Sequence, residues 1–338
     1  MSEPFPGQPS DPRLVVIKSS GGGGLGDSIR TLVAGIDYAV RSDRWLHVDW
    51  SDGLYGPVGE NVFPSLFELQ DLPYLASLSG QLGRSDVHPP AWQGHLDLSM
   101  KELWGRQFTS WDRQQARGHF SFDQQDDSLP QGVLVMWDFD SFFARSQAFA
   151  KARSLLHRHL QPAAAIRAEV DHFLAEQGND GPLVGLHIRH SREALAGGKG
   201  VASDLLLRKA RQLASENPRT RFLICTDNAD KLEEFQQLLP RTVVRPKPLP
   251  PAGEAIHLVD FGPSALAKTR DALIEMLLLA RCDALIYPAQ SSFSLCSALW
   301  SDLPPQHLHP VAATPTGRSE RVLRPIRAAV HRLRRALP

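Results

Sequence analysis

Several short clusters in this chain carry side chains able to hold or transfer a charged group. His187-Ile188-Arg189-His190 closes the apolar run Leu183–Ile188. Side chains alternate along a strand, so His187 and Arg189 share one face and Ile188 takes the other. An Arg at the C-terminal end of a parallel strand lies where open α/β sheets bind ligands. Its planar fork grips a phosphate through two parallel hydrogen bonds without a metal. No cysteine lies near these histidines, so a Cys/His zinc site is not expected. Asp227 follows the run Arg221–Cys225 on the same rim, as a ligand contact or, like Asn228, as a helix N-cap. Ser291 and Ser292 open a helix directly after Ala284–Tyr287. Hydroxyls beside the free N–H groups of a helix N-terminus make an anion site. Glu275 falls between Ile274 and Met276 in an apolar helix over 265–282. A buried carboxylate needs partners. These are either Arg270 or Arg281, or the adjacent N1–H and 2-amino donors of guanine, an edge that adenine and uracil lack.

Two weaker motifs compete. Gly21, Gly23 and Gly26 satisfy G-x-G-x-x-G, and Asp49 closes the next strand 23 residues later, a formal dinucleotide fingerprint. An NAD(P)-dependent oxidoreductase using the Gly21–Gly26 loop is therefore an alternative. Against it, Lys18-Ser19-Ser20 separates strand from loop, and Asp27 sits where a pyrophosphate would bind and be repelled. A loop through Gly24 and Gly26 that lets some other ligand approach the backbone closely fits better. Asp138 and Asp140 form a D-x-D after the run Gly132–Trp137. Such pairs can hold Mn or Mg against a diphosphate, but solvated strand-end carboxylates are the plainer reading.

The elements that must carry these groups follow from periodicity. Strands are expected at Leu14–Ile17, Trp45–Trp50, Gly132–Trp137, Leu183–Ile188, Arg221–Cys225, Thr242–Val244 and Ala284–Tyr287. Helices alternate with them: one carrying Ile29, Leu32, Val33, Ile36 and Val40 on one face, then 142–160, 163–177, 203–216, Asn228 to Leu239, 265–282, and one opened by Ser291. Residues 51–127 read as loops and short helices. Strands alternating with helices imply two doubly wound α/β domains facing across a cleft.

Composition is that of a globular protein, with 42% hydrophobic and 22% charged residues. Thirty-seven basic residues balance thirty-seven acidic ones, so no global charge argues for nucleic acid. Residues 318–338 hold seven Arg and one Glu, with Val322, Ile326, Val330, Leu333 and Leu337 at near-helical spacing, interrupted by Pro325. This basic amphipathic segment is expected to pack back on the fold or to touch an anionic membrane peripherally. No run approaches the ~20 apolar residues of a membrane span. Residues 1–12 are polar and Pro-rich, unlike a signal peptide, and Cys225, Cys282 and Cys296 each lie in an apolar run. Free buried thiols and a cytoplasmic location are the expectation.

In order and spacing, G-L-H-I-R-H at 185–190, F-L-I-C-T-D at 222–227 and A-L-I-E-M-L-L-L-A-R-C-D at 272–283 followed by Ser291-Ser292 resemble one family. So do Gly24-Leu25-Gly26-Asp27 and Val48-Asp49-Trp50. The chain resembles the NodZ-type bacterial α1,6-fucosyltransferases, relatives of the core fucosyltransferases. The resemblance implies a GT-B-like α/β fold of two Rossmann-type domains, a GDP-fucose donor, an inverting mechanism and no required metal or other cofactor. The polar lead, the breaker at 177–182 and the basic C-terminal segment set the expected boundaries: 1–12 for a disordered lead, 13–178 for the first α/β domain, 179–312 for the second and 313–338 for the basic segment. The resemblance makes the first domain the acceptor side and the second the donor side.

Carried over by position, Arg189 would grip the β-phosphate and stabilise the departing GDP, His187 and Glu275 would read guanine, and Ser291 would hold phosphate. His190, Asp227 and Ser292 would complete the donor side, and Gly24, Gly26 and Asp27 the acceptor side. Core fucosyltransferases carry paired arginines where this chain has Arg189-His190. Glu193 is the nearest carboxylate for a general base, with Asp204 and Asp27 as alternatives. The partners expected are a GDP-sugar and a glycan acceptor, with no nucleic acid. A non-catalytic GDP- or glycan-binding relative is the remaining alternative.

Overall fold

The computed structural model describes residues 9, 11–19, 23–104, 130–137, 146–191, 203–254, 256 and 259–312. Asp138, Asp140, Glu193, Gly21 and the basic segment 318–338 lie outside the described residues.

The apolar run after Arg13 forms β1 (Leu14–Lys18), and helix α1 (Leu25–Ser42) returns the chain to β2 (Trp45–Asp49). A short antiparallel pair, β3 (Phe67–Leu69) with β6 (Leu160–Pro162), ties together segments far apart in sequence. Strands β4 (Val87–His88) and β5 (Val133–Met136) complete a parallel sheet of order β2-β1-β5-β4. Helices α2 (Ser146–His159) and α3 (Ala164–Glu176) lead to the second sheet.

That sheet is built from β7 (Leu183–Ile188), α4 (Ser203–Glu216), β8 (Arg221–Thr226), α5 (Ala229–Leu238), β9 (Thr242–Val243), α6 (Ala265–Ala280), β10 (Ala284–Pro288), α7 (Ser292–Trp300) and β11 (Leu308–Val311). All its strands are parallel, in the order β11-β10-β7-β8-β9. The order reverses direction between β7 and β10, and ligands of open α/β sheets bind beyond the strand ends at such a switch.

Alternation decides where each face packs. Val15 and Ile17 join one core, while Leu14 and Val16 join another with Trp92, Leu96 and Met100. In β7, Val184, Leu186 and Ile188 pack with Leu206, Leu207 and Phe235 of α4 and α5. The largest core takes one face from each sheet together with α1, α2, α3, α6 and α7, so the two sheets share a continuous helical layer.

Polar contacts weld that layer. Arg153 of α2 donates to the Ala298 and Leu303 carbonyls at 3.0 and 3.2 Å, and His157 Nε2 lies 3.1 Å from the Leu299 carbonyl. The Ala298 and Leu299 carbonyls are among those that the last turn of α7 leaves open. Buried Asp37 of α1 meets Arg41 at 3.0 Å and Lys151 of α2 at 2.7 Å. The three cysteines are free and buried. No helix among the described residues is long and apolar enough to cross a membrane.

Candidate active site

The C-terminal ends of β7, β8 and β10 open onto a cleft against the start of α1. Its empty volume is about 1180 Å³, open solvent at the mouth included. Gly24, Gly26 and Asp27 line it from the first sheet's side; His187, Arg189, Asp227, Glu275, Ser291 and Ser292 line it from the second. His190 is not among the lining residues. Its backbone N–H donates to Asp227 Oδ1 at 2.8 Å, and its buried Nδ1 makes no hydrogen bond.

Arg189 sits just past β7, with Nη1 3.1 Å from Asp227 Oδ2. The pair is close but not aligned as a hydrogen bond, and Oδ2 accepts none. Arg189 is therefore tethered by charge, with most of its five donors left for a ligand. Asp227 does not cap the following helix: Asn228 does, accepting from the Lys231 N–H at 2.9 Å. This frees Asp227 to orient Arg189 and His190.

His187 is buried, with Nδ1 2.5 Å from Ser294 Oγ and its ring 4.8 Å from that of Phe293. Burial, followed by the charges of Arg189 and Lys247, lowers its pKa to about 3. It is a neutral hydrogen-bonding group at any ordinary pH. Ser291 caps α7, its Oγ accepting from the Ser294 N–H at 3.4 Å. Ser292 is the first helical residue, so its N–H and that of Phe293 belong to the open first turn.

Glu275 is buried in the middle of α6, and its partner is neither Arg270 nor Arg281. Lys247 Nζ donates to Glu275 Oε2 at 2.5 Å, with both side chains under one-tenth exposed. Burial pushes the Glu275 carboxyl up, while Lys247 and Arg245 pull it down. Arg281 instead reaches Asp171 on α3 at 3.0 Å.

The described glycines of the loop, Gly24 and Gly26, have different surroundings. A Cβ on Gly26 would lie 2.6 Å from Phe293 N and Ser292 C, so the close backbone approach it permits is to α7. Nothing lies within 4 Å of a Cβ on Gly24, which is the N-cap of α1. Asp27 occupies the first turn of α1, favourably placed against the helix dipole and 3.5 Å from Arg30. Asp49 cannot serve as the ribose acid of the fingerprint. Its Oδ2 holds Lys18 Nζ at 2.5 Å and its Oδ1 accepts from the Ser51 hydroxyl at 2.5 Å. Of the nicotinamide fingerprint, Asp49 is thus engaged within the protein, and Gly21 lies outside the described residues.

Sequence reasoning missed Lys247, Ser294 and Tyr55. Tyr55 lines the cleft, its hydroxyl 2.7 Å from Ser28 Oγ and 3.1 Å from the Gly23 carbonyl. The one available signal was a lysine flanked by two prolines directly after β9. Among the described residues no group of three or more His, Cys, Asp or Glu converges as a metal site.

Two parallel α/β sheets facing across a cleft, lined by an arginine and by the first residues of a helix, define a GT-B-like architecture. The chain matches the family described as Nodulation protein Z (NodZ) over residues 11–303, and it belongs to that family. It is 29% identical to Nodulation protein Z of Azorhizobium caulinodans over 293 residues, 80% of this chain and 84% of that one. Against the protein of the same name from Bradyrhizobium diazoefficiens it is 27% identical over 313 residues, covering 82% and 77%. Among solved structures, fucosyltransferase NodZ from Bradyrhizobium superposes with a TM-score of 0.61 at 24% identity, over 86% of this chain and 93% of that one. NodZ alpha-1,6-fucosyltransferase soaked with GDP-fucose gives 0.60 at 21% identity, over 86% and 92%. POFUT1 in complex with GDP gives 0.55 at 11%, over 91% and 100%, a likeness of fold.

Proposed function

We propose that this chain is a fucosyltransferase that takes fucose from GDP-fucose and passes it, with inversion and without a metal, to a hydroxyl of a glycan. The observation that carries this reading is the convergence of Arg189, neutral His187 and the first turn of α7 on one cleft, in a chain of the NodZ family. Solved relatives of the same fold were soaked with GDP-fucose or co-crystallised with GDP.

In the reaction the acceptor oxygen bonds to C1 of fucose while the bond from C1 to the β-phosphate oxygen breaks, and that electron pair stays on GDP. Negative charge grows on the diphosphate as the sugar becomes oxocarbenium-like. Arg189 and the N–H groups opening α7 are fixed before reaction and aimed at that charge. One such donor is worth ~3–4 kcal/mol of barrier. Glu275 and His187 form the apolar-backed end of the cleft suited to guanine.

The acceptor proton needs a base. Three lining carboxylates are engaged by cations: Asp227 by Arg189, Asp271 by Arg245 at 2.7 Å and Glu275 by Lys247. Glu193 is assigned the role from its sequence position beyond Arg189. Asp27, on the opposite wall and only loosely paired, is the alternative.

Arg189→Ala, assayed for fucosyl transfer and donor hydrolysis with EDTA present, should lose ~10²–10³-fold in turnover while its unfolding curve stays near that of the parent. Unchanged turnover would remove the donor-site assignment.

A further inference from the structure

The buried Lys247–Glu275 pair has a consequence for base selection, and the inference rests on the GDP-donor reading above. We propose that Lys247 is a positioning residue for base specificity: it holds the Glu275 carboxylate as an oriented anion, presented to the N1–H and 2-amino group of guanine.

The geometry is one-sided. Lys247 Nζ takes Oε2 at 2.5 Å, and no bond to Oε1 accompanies it. A carboxylate oxygen has two lone-pair directions, so Oε2 can keep Lys247 and still receive a second donor beside Oε1. Both residues line the cleft, Glu275 from α6 and Lys247 from the loop after β9. That loop is pinned two residues earlier, where Arg245 reaches Glu169 of α3 at 2.6 Å and Asp271 of α6 at 2.7 Å. Pro246 and Pro248 stiffen the chain on either side of Lys247.

The surroundings explain why such a holder is needed. Glu275 is buried, and burial pushes its carboxyl towards the protonated form unless a cation accompanies it. A protonated carboxyl accepts from the two guanine donors far more weakly than a carboxylate, because it has lost its charge and one oxygen carries its own hydrogen. The charged and titratable groups facing Glu275 are Lys247 and Arg245 from the loop, Asp271 from its own helix and the Cys225 thiol from β8. Of these, Lys247 is the cation in contact.

The test is calorimetric titration of the full chain with GDP, IDP and ADP at pH 6, 7 and 8. IDP keeps N1–H but lacks the 2-amino group. The unaltered protein should prefer GDP over IDP by ~10-fold, the worth of one hydrogen bond to a charged group. Lys247→Met should lose that preference and bind GDP more weakly at pH 6 than at pH 8. Lys247→Arg should keep both the preference and a flat profile. The double variant Lys247→Met/Glu275→Gln removes both charges and so protects the fold. It should bind GDP no worse than Glu275→Gln alone, because Lys247 acts through Glu275. Additive losses, or a Lys247→Met protein with the parental GDP:IDP ratio and a flat pH profile, would overturn the role of Lys247 alone. Failure of the unaltered protein to bind GDP would instead overturn the donor reading beneath it.

Discussion

Gly26→Ala puts the interdomain weld to a direct test, because two physical effects predict opposite signs. Position 26 is the second residue of α1, and replacing glycine by alanine in a helix normally gains up to ~1 kcal/mol. Here the new methyl would stand 2.6 Å from two backbone atoms of Ser292 and Phe293, where ordinary contact begins at 3.4 Å. The starts of α1 and α7 must then separate by about 0.8 Å, and backbone cannot rotate aside as a side chain would. Overpacking of this kind costs ~1–3 kcal/mol, which outweighs the helix gain. The displaced atoms also belong to the first turn of α7, proposed above to hold the diphosphate, and a misplacement near 1 Å can cost ~100-fold in rate. Urea unfolding and donor turnover should therefore both fall for Gly26→Ala. Gly24→Ala, with nothing within 4 Å, is the stability control and should lose less than ~1 kcal/mol. A Gly26→Ala protein as stable as its parent, or more so, would refute the close approach of the two helices.

Other perturbations follow from the same contacts. Lys18 and Asp49 are a buried pair, so Lys18→Met leaves Asp49 partly uncompensated and should cost ~3–5 kcal/mol in unfolding; a loss under 1 kcal/mol would mean water reaches Asp49. Because the folded His187 pKa is near 3, against 6.5 for an ordinary histidine, the unfolded chain binds a proton that the folded chain refuses between those values. Stability should thus be full above pH 6.5 and fall by about 1.4 kcal/mol per unit below it, on account of this residue. Urea curves of parent and His187→Gln taken from pH 7 to 5 should converge as pH drops, whereas a constant gap would show His187 protonating freely in the fold. Asn228→Ala should cost ~1 kcal/mol by uncapping α5, which thermal melting would register; Asp227→Asn, by loosening Arg189, should act on turnover.

Much of this was legible because strands that bury both faces, such as Leu183–Ile188 and Arg221–Thr226, are continuous apolar runs with helices between them. Strand β11 was not, since Leu308–Val311 contains Pro310; an edge strand tolerates a proline that sequence reading takes as a break. The β3–β6 pair joins two three-residue segments too short to show a period. Glu275 stood out as an acid in an apolar helix, but Arg270 and Arg281, five and six residues away, do not share its face. Its true partner comes from a loop whose direction no local pattern records. The glycine loop was readable as a place of close backbone approach, and only the packing of α1 on α7 revealed what approaches.

The most direct test of the central claim is titration of GDP-fucose into the full chain in EDTA, with a UDP-sugar, an ADP-sugar and NAD in parallel. The account predicts saturable, EDTA-insensitive binding of the guanine nucleotide sugar alone, abolished by Arg189→Ala. Binding of NAD with no response to GDP-fucose would contradict it.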